Sequence, residues 1–74
     1  MYLKRLKELR EDSDIKQLAI ANLLNITRQQ YSLYETGKRT IPVNYLKILA
    51  NFYNTSSDYI LEITDDIRPY KKSS

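Results

Sequence analysis

The chain has 74 residues, no cysteine, no histidine, a single glycine and a formal charge of +3. That length allows one small domain with a thin core, and the missing Cys and His exclude disulfides, thiol or imidazole catalysis and an ordinary zinc site. The composition, 42% hydrophobic and 28% charged, is that of a globular domain; no apolar run approaches a membrane span or a signal peptide, so an intracellular, cytoplasmic protein fits.

Leu3, Leu6 and Leu9 recur every three residues with Tyr2 beside them, which predicts an amphipathic helix over 2–11. Asp12, Ser13 and Asp14 are turn and cap residues that end it. Ile15, Leu18, Ala19, Ala21 and Leu23–Leu24 predict a second helix over 15–24. Asp14 and Gln17 have capping-box spacing at its start, and Asn25 suits a left-handed helix end. A third helix over 28–36 takes Thr27 as its N-cap, with Gln30 completing a capping box. Tyr31 and Tyr34 lie three apart and face inward, and Gly37 stands where the residue after a helix C-cap belongs. Pro42 fits the first turn of a fourth helix. Its expected buried stripe is Val43, Leu46, Leu49–Ala50 and Phe52–Tyr53, and Asn54 stops it. Ser56 caps a short fifth helix over 57–63, with Tyr59, Ile60 and Ile63 as apolar contacts. Pro69 and the polar end that follows read as a frayed tail. The expected fold is therefore all-α: a compact bundle of five short helices in a domain over 1–64, with a flexible tail over 65–74.

Charge is uneven along this plan. Residues 1–47 sum to +4, residues 48–66 hold four acids and no Lys or Arg, and residues 67–74 sum to +3. Positive charge near the middle, with Arg28, Lys38, Arg39 and Lys47 set against Glu35 alone, permits a nucleic-acid partner. Solvated surface charge is the plain alternative.

The stretch from Gln17 to Gly37 carries the most information. A small residue, Ala21, lies mid-helix and lets a second helix approach; Asn25 makes the tight turn; Ile26 plugs the gap; Thr27 caps the next helix. That order suits a helix-turn-helix. Together with Leu6–Lys7–Glu8–Leu9–Arg10, Gln17, Leu24–Asn25–Ile26–Thr27–Arg28, Tyr31, Tyr34–Glu35, Gly37–Lys38–Arg39, Leu49–Ala50 and Ser56–Ser57–Asp58–Tyr59–Ile60–Leu61, it resembles the Cro and phage-repressor helix-turn-helix family, also called XRE-like. The resemblance spans about residues 3–64.

It implies a lambda-repressor-like DNA-binding domain whose third helix enters the major groove. Arg28, Gln29, Ser32 and Leu33 are then the candidate base contacts. Arg pairs with guanine O6 and N7, Gln with adenine N6 and N7, and an exposed Leu meets a thymine methyl. The candidate phosphate contacts are Lys16, Gln17, Thr27, Lys38 and Arg39, which position without reading sequence. Lys16 departs from the family, where a small hydroxyl cap is usual. If Asp14 caps the second helix, Gln17 folds back to the cap and Lys16 takes the phosphate; both readings stay open here. Arg10 and Glu35 match family positions that pair between the first and third helices. The resemblance further implies a repressor of phage or mobile-element type acting as a homodimer on double-stranded DNA with a palindromic operator. No cofactor, metal site or enzymatic activity is expected. The alternative is a protein-interaction module, antitoxin-like or regulator-binding, that uses the acidic, tyrosine-bearing segment 48–66. RNA binding ranks below both, because no aromatic stacking platform stands free of the core.

Overall fold

The computed structural model describes residues 2–69, and these form five helices: α1 (Lys4–Asp12), α2 (Gln17–Leu24), α3 (Arg28–Glu35), α4 (Val43–Phe52) and α5 (Ser57–Ile60). No strand occurs among the described residues. One core joins all five: Leu6 and Leu9 from the first with Leu3 at its N-cap, Ile20, Ala21 and Leu24 from the second, Tyr31 and Tyr34 from the third, Leu46, Leu49 and Ala50 from the fourth, and Ile60 from the fifth. Ala21 is fully buried, which permits the close packing of α2 on α3.

The turns follow single residues. Asn25 closes α2 in the left-handed conformation at φ 59°, where its side chain substitutes best for glycine. Thr27 and Gln30 form the full capping box at the head of α3, each bond 3.1 Å. Gly37, at φ 80°, turns the chain out of α3, and Asn54 at φ 54° does the same after α4. Pro42 is the N-cap of α4 rather than its first helical residue.

Other expectations need correction. Asp14 does not cap α2: it is itself left-handed at φ 57°, and the N-cap is Lys16, with no side-chain bond. The turn is held from α1 instead, where the Arg10 carbonyl accepts from the Ile15 N–H and Arg10 Nη1 donates to the Ile15 carbonyl. The second helix consequently starts at Gln17. In α4 the buried stripe is narrower than expected. Val43 is 69% and Phe52 46% exposed: Phe52 flanks the Leu46, Leu49 and Ala50 face, while Val43, in line with Leu46 and Ala50, stands in the first turn. The fifth helix ends at Ile60, and Ile63 is exposed. Glu62 adopts a left-handed conformation at φ 62° that turns the chain back. Past it, Arg5 holds Asp65, and the Thr55 hydroxyl donates to the Ile67 carbonyl. Residues 70–74 lie outside the described residues.

Candidate nucleic-acid interface

Four side chains from three helices form one hydrogen-bonded chain. Arg10 of α1 clasps Glu35 of α3 through Nε and Nη2, both at 2.9 Å. The pair is nearly out of solvent, with side chains 13% and 3% exposed. Gln17 Nε2, at the head of α2, donates to the same Glu35 carboxylate at 3.3 Å. Its other end, Oε1, accepts from Arg28 Nη1 at 3.4 Å. Gln17 therefore does not fold back to a cap; it lies between the buried carboxylate and the first residue of α3. Burial alone would push the Glu35 carboxyl up, but the groups facing it, the bonded and charged Arg10 guanidinium first and the Gln17 amide last, outweigh burial and hold the group below its ordinary value.

Two tyrosine hydroxyls border this cluster. Tyr31 OH and Tyr53 OH are buried and make no hydrogen bond among the described residues. Burial, and after it the Glu35 charge, pushes the Tyr53 hydroxyl up to about 12; burial moves Tyr31 in the same direction and further. The Tyr31 ring is part of the core and the Tyr53 ring packs against it, and Tyr34 meets Tyr45 edge-on, centroids 6.1 Å apart.

Around this scaffold the candidate contacts fall as follows. Arg28 and Gln29 are exposed at the first turn of α3. Ser32 and Leu33 are half-buried, so Leu33 is less open than its position suggested. The loop after α3 folds over that side, with the Arg39 N–H donating to the Leu33 carbonyl at 3.1 Å. Thr27 is exposed and committed to its capping box. Lys16 is exposed at the head of α2, where the absence of a side-chain cap leaves the first N–H groups of the helix open to an anion. Lys38 and Arg39 are exposed on the turn that Gly37 makes. None of Lys16, Arg28, Lys38 and Arg39 has an ion pair among the described residues. Cations without acidic partners keep their charge for a polyanion.

Sequence reasoning missed Arg5. Its Nη1 donates to the Tyr59 and Thr64 carbonyls at 2.7 and 2.6 Å, and its Nη2 to Asp65 at 2.7 Å. The guanidinium also lies 4.2 Å from the Tyr59 ring centroid. A cation near the start of the chain, set against an acid-rich, cation-free stretch near its end, was the available signal.

A model of the helix-turn-helix family matches residues 6–60. The chain is 38% identical over 69 residues to the uncharacterized HTH-type transcriptional regulator YobD of Bacillus subtilis, covering 93% of this chain and 62% of that protein. It is 38% identical over 64 residues to an SPbeta prophage-derived uncharacterized HTH-type transcriptional regulator, YonR, of the same organism, covering 86% of this chain and 59% of that protein. Antitoxin PezA of Streptococcus pneumoniae is 32% identical over 56 residues, which is 76% of this chain and 35% of that protein. The chain thus spans less than two thirds of the length of these relatives. No solved structure matches.

Proposed function

This chain belongs to the Cro and phage-repressor-like helix-turn-helix family, and from that premise we propose that it is a sequence-specific DNA-binding transcriptional regulator. The observation that carries this reading is the placement of Arg28 and Gln29. They are exposed at the N-terminal turn of α3, flanked by the unpaired cations Lys16, Lys38 and Arg39, and backed by the Arg10–Glu35–Gln17 chain. The N-terminal residues of a recognition helix are those that meet base edges. Arg28 and Gln29 carry base readout, with Ser32 and Leu33 as minor contributors at the groove edge. Lys16, Gln17, Thr27, Lys38 and Arg39 position the domain on phosphates. Gln17 does so while steadying Arg28, so a single amide serves both the backbone register and the base-reading side chain.

The mechanism is operator occupancy in the cytoplasm by a homodimer on a palindromic site, repressing by exclusion of polymerase. The likeness to a prophage-derived regulator supports a phage or mobile-element setting. The likeness to an antitoxin supports a second reading, in which the domain also binds a protein partner. Selection of bound sites from a random DNA pool tests the first reading. It should enrich a palindrome with half-sites about one helical turn apart. Failure to enrich any sequence overturns specific binding and favours the protein partner.

A further inference from the structure

Of the five helices among the described residues, α2 alone has no charged side chain: Gln17–Leu24 reads QLAIANLL. Its inner face, Ile20, Ala21 and Leu24, is buried in the core. Its outer face is largely apolar as well. Leu18 and Leu23 are 55% and 42% exposed, with Ala19 and Asn22 exposed between them. A surface helix ordinarily sets charged residues opposite its buried stripe, and one that is apolar all round is ordinarily covered. A shallow cavity of about 450 Å³ runs along this face, lined by Asp14, Ile15, Lys16, Leu18, Ala19 and Asn22. A second, of about 380 Å³, adjoins it at Asp14, Ile15 and Lys16 and reaches Arg10 and Glu11. The rim therefore carries two cations and two acids, and its charge is balanced.

We infer that the outer face of α2 is the contact between copies of this chain bound at neighbouring sites on one duplex; the inference rests on the DNA-binding reading above. Helix α2 packs on α3 and has the proposed phosphate contacts Lys16 and Gln17 at its head. Its outer face thus lies beside the duplex, where the next protein along the DNA stands. A foreign partner of either sign is steered by opposite charge, and this face offers none beyond its balanced rim. A patch without net charge meets its own copy without repulsion. Its size sets when the contact forms. An eight-residue helix is ~12 Å long and ~10 Å wide, which falls far short of the ~800 Å² per partner of a stable interface. The contact is too small to hold two free chains together. Between copies on one duplex it becomes intramolecular, at an effective concentration on the order of mM, and shows itself as cooperative filling of adjacent sites.

The test compares the filling of duplexes that carry one selected palindrome with duplexes that carry two, their centres moved apart by single base pairs through a helical turn. It uses the full chain as wild type, Leu18→Gln and Ala19→Gln. Both substitutions leave the charge unchanged and bring in a good helix former; circular dichroism reports folding. At the best spacing the second site should bind the wild type at least ~fivefold more tightly than a lone site. Leu18→Gln should abolish that gain with lone-site affinity unchanged; Ala19→Gln gives the same readout if Leu18→Gln loses helix content. Independent filling of the two sites by the wild type at every spacing overturns the inference and spares DNA binding. A gain that survives in both folded variants also overturns it, because the copies then touch elsewhere. Weaker lone-site binding by a folded variant overturns it by placing the face inside a single operator complex. Absence of binding to any lone site overturns the DNA-binding reading and the inference with it.

Discussion

Arg28 occupies the first position of α3, and among the described residues its guanidinium makes one hydrogen bond, of 3.4 Å to Gln17, which leaves its other donors to meet a base. Arg28→Ala should cost ~1–3 kcal/mol on the selected site and relax specificity at one base pair. Titration against single-base variants of that site checks it; equal losses on cognate and unrelated DNA would reassign Arg28 to the backbone. Tyr53 makes a different prediction. Its hydroxyl is buried without a hydrogen-bond partner among the described residues, and its pKa is raised from 10.0 to about 12. A group held neutral in this way contributes stability that is intact below pH 10 and lost as the pH rises through about 12. Tyr53→Phe removes an unpaired polar atom, so urea denaturation should show little or no loss at neutral pH and a shallower fall between pH 10 and 12 than the wild type. A clear loss at neutral pH would mean that the hydroxyl has a stabilising partner.

At the scale of elements, the Arg10–Glu35 pair ties α1 to α3 and, through Gln17, ties α2 to both. Breaking a buried pair from one side leaves a charge without compensation, so Arg10→Ala or Glu35→Gln should each cost ~3–5 kcal/mol. The double variant should cost clearly less than the sum; strict additivity would contradict the coupling. Glu35 is held below its ordinary value of 4.5. Its contribution is therefore complete above that value and lost as the pH falls through the lower folded-state pKa, and the acid limb should flatten in Glu35→Gln. Element positions were legible in the sequence wherever one residue dictates the backbone: Asn25, Thr27, Gly37, Asn54 and Ser56 marked their turns and caps. Asp14 misled because a capping-box spacing does not reveal that Arg10, from the preceding helix, closes the same turn. Val43 and Phe52 misled because the apolar pattern of α4 is longer and wider than the face it buries.

For the whole molecule, what sequence could not supply was pairing at a distance. The Arg5 contacts span more than fifty residues, and the Gln17 amide reaches Arg28 and Glu35 of α3 only because α2 packs on that helix. The folded charge map accordingly differs from the linear one. The acid-rich segment is largely neutralised by cations from both ends of the described chain, while Lys16, Arg28, Lys38 and Arg39 have no ion pair among the described residues. Positive charge on one face and sequence-reading side chains at its centre are together the central claim. Its most direct test is equilibrium binding, by fluorescence anisotropy across a salt series, to the selected palindrome and to a shuffled duplex of equal length. The palindrome should bind ~10³-fold or more tightly than the shuffled duplex. Both affinities should fall with salt, and Lys38→Ala or Arg39→Ala should each reduce the salt slope by ~1 on both duplexes. Equal affinity for the two duplexes at every salt concentration would contradict the account.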